Sequence, residues 1–243
     1  MKTGKKIAYF AGCTANFVDP EVGKATIKIL ERNGFSPEFP NQKCCAIPKL
    51  IYGDEDGCKK YAEYNVESLG KADCDIVSAC VSCVLMIKRE YPAILKDMRK
   101  LEAEKLALRI YDIMEYLVML RERNELNDSF QPVNLNIVYH APCHLKVAGE
   151  DLVKRRLSLI RLIPGIRIEY SDRGCCGMGG TFGFKRDNYN IAMEVGKTLF
   201  EEIKRISPDM VITECPTCKM QIEQGTGIQV RHPIMIIKEA YGL

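Results

Sequence analysis

Residues 74–83 read CDIVSACVSC, and residues 208–218 read PDMVITECPTC. In both stretches a short apolar run leads into a C-x-x-C pair, which ends at Cys83 in the first and at Cys218 in the second. Short apolar runs that are bounded by loop residues are typical of buried strands. The recurrence predicts two copies of one unit, in which a strand delivers a pair of cysteines.

The similarity between the two copies extends well beyond these stretches. IAYFAGC ends at Cys13 and IVYHAPC at Cys143, and the adjacent pair Cys44–Cys45 recurs as Cys175–Cys176. All matches occur in the same order and are 130 to 135 residues apart, which is the signature of an internal repeat. We therefore expect a first cysteine-rich repeat, a helical linker and a second cysteine-rich repeat, at residues 1–92, 93–132 and 133–243.

Each copy alternates predicted strands with predicted helices. The strands are expected at residues 7–10, 76–79, 137–140 and 210–213, with shorter extended runs at 38–39 and 167–170. The helices are expected at residues 21–33, 57–71, 151–162 and 189–206. This alternation favours an α/β fold with two tandem, pseudo-symmetric repeats, each with a mainly parallel sheet. The segment between Pro92 and Asn127 is rich in Leu, Glu, Lys and Arg and predicts one or two amphipathic linker helices.

The composition excludes several classes of protein. Of the 243 residues, 47% are hydrophobic and 28% are charged, as in ordinary globular proteins. The net charge of +3 is not concentrated in a basic arm, so we expect no nucleic-acid partner. No apolar run approaches the roughly 20 residues of a membrane span, and the apolar stretch near residue 7 is too short for a secretory leader. We expect a cytoplasmic protein that meets a membrane only through a partner.

Ten of the twelve cysteines form two sets of five with the same 1 + 2 + 2 spacing. The sets are Cys13, Cys44, Cys45, Cys80 and Cys83, and Cys143, Cys175, Cys176, Cys215 and Cys218. Because parallel strands end at one edge of a sheet, each set is expected to converge on a five-cysteine site at the strand ends. Thiolates are preferred ligands of iron–sulfur clusters and of zinc.

Adjacent cysteines in an extended chain point to opposite sides, so they fit a wide multi-iron cluster better than one tetrahedral zinc ion. Zinc in one site, a thiol redox sensor that uses Cys175 and Cys176, and purely structural cysteines are the alternatives. Cys58 and Cys74 have no counterpart in the second copy and are expected to be buried as small apolar residues.

The glycine-rich stretch CCGMGGTFG, residues 175–183, would let backbone N–H groups approach cluster sulfurs. A flexible turn and a phosphate loop are the other interpretations, but the Lys-Ser/Thr ending of a phosphate loop is missing.

The chain has three histidines. His140 ends a predicted strand and His232 precedes a proline, and we expect structural roles for both. His144 directly follows Cys143, and since imidazole titrates near neutral pH we predict it as a catalytic proton donor. The first copy has Thr14 at this position, which indicates chemistry at the second site and electron relay at the first.

The doubled pattern of one Cys, then Cys-Cys, then C-x-x-C resembles the CCG-type cysteine-rich domain of iron–sulfur proteins. This domain occurs in heterodisulfide reductase, in the lactate-utilisation iron–sulfur proteins, in the glycolate oxidase iron–sulfur subunit and in the iron–sulfur subunit of anaerobic glycerol-3-phosphate dehydrogenase. The last of these is most similar in the stretches CCAIPKLIYGD, SCVLMIKREYP, YHAPCHL, QIEQG and HPIMIIKEAYGL. Residues 1–243 lack the ferredoxin-like C-x-x-C-x-x-C-x-x-x-C-P runs of that dehydrogenase subunit.

The resemblance implies an iron–sulfur oxidoreductase subunit that relays electrons between a flavoprotein or ferredoxin-like partner and an acceptor. It implies up to two 4Fe–4S clusters held by the ten cysteines, and a non-cubane cluster where all five cysteines of a set bind. A disulfide-type substrate, as in heterodisulfide reductase, is one candidate. Because members share the cluster unit and differ in partners, the family does not fix the substrate. A zinc-bearing structural subunit of a redox complex is the alternative.

Overall fold

The computed structural model describes residues 4–243, so residues 1–3 of the expected first repeat lie outside the described residues. The chain divides into two compact units, one that ends at Asn127 and one that covers residues 128–243. Each unit contains a four-stranded sheet in which all strand pairings are parallel. The predicted α/β fold with two parallel-sheet repeats is therefore confirmed.

The strands of the first unit are β1 (Lys5–Tyr9), β2 (Phe35–Glu38), β3 (Ile76–Ser78) and β4 (Ile110–Asp112). They pair in the order β2-β1-β3-β4. The helices of this unit are α1 (Gly12–Phe17), α2 (Pro20–Arg32), α3 (Ile47–Ile51), α4 (Glu55–Gly70), α5 (Val81–Leu85), α6 (Tyr91–Ile94), α7 (Asp97–Ala107) and α8 (Ile113–Glu122), with a π-helical turn at Met86–Glu90. Helices return the chain between strands because parallel pairing requires a long crossover.

The second unit repeats this plan. Its strands are β5 (Leu135–His140), β6 (Ile166–Ser171), β7 (Met210–Ile212) and β8 (Val230–Arg231), in the order β6-β5-β7-β8. Its helices are α9 (Cys143–Lys146), α10 (Glu150–Ile160), α11 (Tyr189–Ile206), α12 (Pro216–Thr226) and α13 (Pro233–Ala240), with 3₁₀ turns at Phe182–Phe184 and Arg186–Asn188. In each sheet, the strand that comes first along the chain occupies the second position in the strand order. The two units therefore have the same topology.

The expected helical linker at residues 93–132 has a different organisation. It contains α7 and α8, but β4 lies between them and pairs with β3 in the first sheet. The same strand-then-helix ending recurs as β8 and α13 in the second unit. Strands of two or three residues are too short to show an alternation of apolar and polar residues. The hydrophobic pattern of this segment therefore predicted only the helices.

Side-chain caps fix the helices that follow these short strands. The Asp112 carboxylate accepts hydrogen bonds from the N–H groups of Met114 and Glu115 at the start of α8. At the start of α13, His232 Nδ1 accepts from the Ile234 N–H at 3.0 Å. Such caps satisfy N–H groups that have no partner within the helix. His232 therefore has a structural position.

The core of the first unit is built from buried apolar residues of β1, β3, α4 and α5 together with four of its cysteines, Cys45, Cys58, Cys80 and Cys83. These four cysteines are thus held by the packed interior and not by a peripheral loop. Among residues 4–243, no helix is both long enough and apolar enough to cross a membrane.

Candidate metal centres

The carboxyl ends of three neighbouring strands carry the cysteines in each unit. In the first unit, Cys13 lies in α1 after β1, the pair Cys44–Cys45 follows β2, and Cys80 begins α5 after β3. The second unit places its cysteines after β5, β6 and β7 in the same way. Since β1 and β5 each lie between the other two strands, the three loops meet at one edge of the sheet.

In the second unit the five thiols form a continuous row. Cys143 Sγ lies 3.6 Å from Cys175 Sγ, and Cys176 Sγ lies 3.2 Å from Cys218 Sγ. Side-chain hydrogen bonds also join Cys175 to Cys176 and Cys218 to Cys215. The row therefore runs Cys143, Cys175, Cys176, Cys218, Cys215.

The first unit has the matching row. The thiols that act on each other's pKa as neighbours are Cys13 and Cys44, Cys44 and Cys45, Cys45 and Cys83, and Cys83 and Cys80. The order is the same as in the second unit. Among the described residues, no three His, Cys, Asp or Glu side chains are arranged as ligands of one metal ion. The thiols are instead spread along two extended rows.

Each row runs from the surface to the interior. Cys13 and Cys143 are exposed, Cys44 and Cys175 are half-buried, and the remaining six thiols are buried. A group bound along either row would contact solvent only near the exposed thiol.

Hydrogen bonds between thiols create thiolate character in each row. Bonds from Cys44 and then Cys83 lower the pKa of Cys45, and bonds from Cys143 and then Cys176 lower the pKa of Cys175. A bond from Cys218 lowers the pKa of Cys215 to about 5. The thiolate is the metal-binding form of cysteine. Each row therefore contains at least one thiol whose pKa is shifted toward the metal-binding form, while the pKa values of most of its neighbours are raised.

The residue after each Cys-Cys pair adopts a left-handed backbone conformation. Ala46 has φ 68° and Gly177 has φ 87°. In this turn the Ala46 N–H donates to Cys44 Sγ at 3.5 Å, and the Gly177 N–H donates to Cys175 Sγ at 3.4 Å. The approach of backbone N–H groups to sulfur, expected for residues 175–183, is thus present in both units.

The two turns are supported by different contacts. A Cβ atom added at Gly177 would lie 1.9 Å from the Ala192 carbonyl oxygen, and one added at Gly196 would lie 2.6 Å from the Cys176 carbonyl oxygen. The second turn therefore packs directly against the backbone of α11. Close packing therefore explains Gly177 better than flexibility does.

In the first unit, two side chains that the sequence reasoning missed hold the turn. Asn65 Nδ2 donates to the carbonyl oxygens of Lys43 and Cys44 and to the Tyr91 hydroxyl. The Tyr91 hydroxyl in turn donates to the Cys45 carbonyl oxygen at 3.1 Å. Asn65 and Tyr91 are both fully buried. The signal available in the sequence was a polar residue, Asn65, on the otherwise apolar face of the helix that became α4.

The other predicted residues lie around the rows. His144 follows Cys143 in α9 and is half-buried near the exposed end of the second row. Cys58 is fully buried in the core of the first unit, and Cys74 is partly buried against that core. Cys58 thus has the buried position expected of a small apolar residue, whereas Cys74 is only partly buried.

The donor set fits an iron–sulfur cluster in each unit. All five side chains in a row are thiols, several already have lowered pKa values, and a backbone N–H points at the first sulfur of each Cys-Cys pair. Thiolate ligation with N–H···S hydrogen bonds is characteristic of protein iron–sulfur sites.

Fold and sites together define a tandem α/β protein with two cysteine-rich centres. Residues 7–88 and 137–223 match the family model of the CCG cysteine-rich domain. The matched segments include all ten cysteines of the two rows and most of the chain. The chain therefore belongs to the CCG cysteine-rich domain family.

Three curated relatives are similar along most of this chain. One is a subunit of anaerobic glycerol-3-phosphate dehydrogenase from Escherichia coli (strain K12), which is 34% identical over 97% of this chain and 59% of its own length. Another is a subunit of fumarate reductase (CoM/CoB) from Methanothermobacter marburgensis, which is 32% identical over 98% of this chain and 47% of its own length. An uncharacterized iron–sulfur protein from Methanocaldococcus jannaschii is 30% identical over 90% of this chain and 41% of its own length. The chain thus spans only about two to three fifths of these relatives, two of which are named as oxidoreductase subunits.

Proposed function

We propose that the chain is an iron–sulfur oxidoreductase subunit that relays electrons between a flavoprotein or ferredoxin-like partner and an acceptor. The observation that carries this proposal is the pair of matching five-thiol rows, each at the carboxyl edge of a parallel sheet. The names of the relatives support it, since they include a dehydrogenase subunit, a reductase subunit and an iron–sulfur protein.

Each row would hold one 4Fe–4S cluster, whose contribution when bound is one-electron transfer. The ligands would be Cys13, Cys44, Cys45, Cys80 and Cys83 in the first unit, and Cys143, Cys175, Cys176, Cys215 and Cys218 in the second. A cubane cluster takes four cysteine ligands, so five thiols in one row support a non-cubane form. The chain's own part is to supply thiolates, to orient N–H groups at them and to keep water from the buried end of each row.

A partner protein would exchange electrons with this chain. No nicotinamide-binding G-x-G-x-x-G sequence and no ferredoxin-type run occurs in residues 1–243. The exposed thiols Cys13 and Cys143 mark the sides from which a partner would approach. All twelve cysteines are free, which suits a reducing compartment, and we place the protein in the cytoplasm.

Reduction of a disulfide-type substrate at the second row is the chemistry we propose for this site. Cleaving one S–S bond to two thiols consumes two electrons and two protons. The partner supplies the two electrons, His144, beside the exposed Cys143, supplies one proton, and water at this exposed end of the row supplies the other. The residue at this position in the first unit is Thr14, so the first row would only relay electrons.

The experiment that tests this proposal is anaerobic purification followed by iron, sulfide and zinc analysis. We expect a brown protein with iron and inorganic sulfide in equal amounts, about eight of each per chain for two 4Fe–4S clusters. A colourless protein that contains zinc would instead establish the structural alternative. A metal-free protein in which Cys175 and Cys176 change oxidation state would establish the redox-sensor alternative.

A further inference from the structure

One buried position beside the cysteines differs between the two units. Phe10 and His140 stand three residues before Cys13 and Cys143. Both side chains are buried, Phe10 completely and His140 with 1% of its surface exposed. In the first unit an apolar ring therefore occupies the position that an imidazole occupies in the second.

The side chain at this position faces the cysteine row. A Cβ atom added at Gly12 would lie 3.5 Å from the Phe10 ring and 3.2 Å from Cys83 Sγ, so the ring and the thiol flank the same point. Phe10 also belongs to the buried cluster that contains Cys45, Cys80 and Cys83. In the second unit, His140 and Cys175 are close enough for the charge of each to shift the pKa of the other.

His140 has no hydrogen-bond partner for either ring nitrogen among the residues that the structure describes. A buried polar group left without a partner costs about 1–3 kcal/mol, so such a group calls for an explanation. The nearby buried polar side chains of Tyr139 and Glu214 do not supply a partner for the ring. Tyr139 precedes His140 in β5, and successive strand side chains point to opposite faces of the sheet. The Tyr139 hydroxyl donates to Glu214 at 2.7 Å on that other face.

The imidazole of His140 is a hydrogen-bond donor in either protonation state, since the neutral ring carries one N–H group and the charged ring carries two. Burial of the ring, followed by the charge of Lys146, disfavours the charged form and lowers the pKa of His140 to about 4.

We propose that His140 donates its ring N–H to a sulfur atom at the Cys175 end of a cluster bound in the second row, and so raises the reduction potential of that cluster. This inference rests on the proposed function, because it needs a cluster in the second row. Reduction adds negative charge to the cluster, and a hydrogen bond to sulfur stabilises the more negative form. The first row has Phe10 at this position and receives no such bond. The two sites thus have the same kinds of ligands but differ in reduction potential. His140 is a positioning residue that makes the second cluster the stronger electron acceptor.

The test compares His140→Phe with His140→Gln. The first variant installs the residue that the first unit already accommodates, and the second keeps an N–H donor. In redox titrations followed by absorption and electron paramagnetic resonance, His140→Phe is expected to lower the midpoint potential of one cluster only. The first cluster in the same molecule is the internal control. His140→Gln is expected to return the potential toward that of the wild-type protein.

An unchanged potential in His140→Phe at full iron content overturns the inference while leaving the proposed function intact. A wild-type protein without iron overturns the proposed function itself. A second measurement tests the hydrogen bond from His140 even if His140→Phe loses its second cluster. Wild-type protein with ¹⁵N-labelled histidine is expected to show coupling between an imidazole nitrogen and a reduced cluster in pulsed electron paramagnetic resonance. The coupling is expected to persist in His144→Ala, and its absence in the wild-type protein contradicts the proposal.

Discussion

Cys176 Sγ lies 3.2 Å from Cys218 Sγ, although 42 positions separate the two residues in the sequence. The corresponding contact in the first unit joins Cys45 to Cys83. In both units the second cysteine of the C-x-x-C motif meets the second cysteine of the adjacent pair. These contacts link the segment after β2 to the segment after β3 in the first unit, and the segment after β6 to the segment after β7 in the second, and they determine the order of the thiols.

The first prediction separates the ligands from the spare cysteines. Cys176→Ser is expected to change the spectrum of one cluster and to lower iron content by up to about half, because each unit holds its own row. Cys74→Ala and Cys58→Ala are the matched controls and are expected to keep the full iron content, since neither side chain belongs to a row. Loss of a cluster in Cys58→Ala would show that the ligand assignment is wrong.

The second prediction concerns the left-handed residue after each Cys-Cys pair. Ala46→Gly is expected to stabilise the first unit by about 0.5–1 kcal/mol, because glycine adopts φ 68° without the steric cost of a Cβ atom. Gly177→Ala is expected to destabilise the second unit by about 2–5 kcal/mol, since the new Cβ would lie 1.9 Å from the Ala192 carbonyl oxygen. Thermal unfolding of the anaerobic protein measures both effects. Equal melting temperatures for wild type and Gly177→Ala would contradict the close packing of this turn.

The third prediction concerns the buried ion pair of the second unit. Arg156 Nη1 lies 3.3 Å from Glu214 Oε1, and both side chains are 1% exposed. Glu214→Ala is expected to cost about 3–5 kcal/mol, because it leaves a buried guanidinium without its carboxylate.

The matched control for this pair comes from the first unit, which has Thr26 and Ala79 at the corresponding repeat positions. The double variant Arg156→Thr with Glu214→Ala is expected to recover much of the loss, since no unpaired buried charge remains. Denaturant unfolding of the single and double variants gives the coupling energy. A double variant no more stable than Glu214→Ala alone would show that Arg156 and Glu214 stabilise the unit by something other than their ion pair.

The fourth prediction concerns proton transfer at the second row. His144→Ala is expected to retain both clusters and to lose about 10²–10⁴-fold in turnover with a disulfide-type acceptor, the usual range for a general acid. Turnover as a function of pH, measured together with both cluster potentials, separates this role from a structural one. Unchanged turnover would exclude His144 as the proton donor, and a shifted potential with a normal pH profile would assign it a hydrogen bond to the cluster instead.

The spacing of the cysteines and the strand–helix alternation predicted the repeated α/β fold and both five-cysteine sets. These features are local, since a short apolar run and a C-x-x-C motif each lie within about a dozen residues. The elements themselves are close to those expected; α2, for example, covers Pro20–Arg32 where residues 21–33 were predicted. The short strands β4 and β8 escaped prediction because their pairing partners, not their own sequences, make them strands.

The amino-acid sequence by itself determined that there are two units, which ten thiols lie at the strand ends and approximately where the long helices α2, α4, α10 and α11 begin and end. Only the tertiary structure decided the order of the thiols in each row, the hydrogen bonds of Asn65 and Tyr91 to the first Cys-Cys turn, and the burial of His140 without a hydrogen-bond partner among the described residues. The Asn65 and Tyr91 contacts join residues 21 to 46 positions apart. Such distances are set by the packing of helices on a sheet, for which no local pattern carries a signal. The burial that lowers the pKa of His140 arises in the same way, because desolvation depends on everything that packs around a side chain.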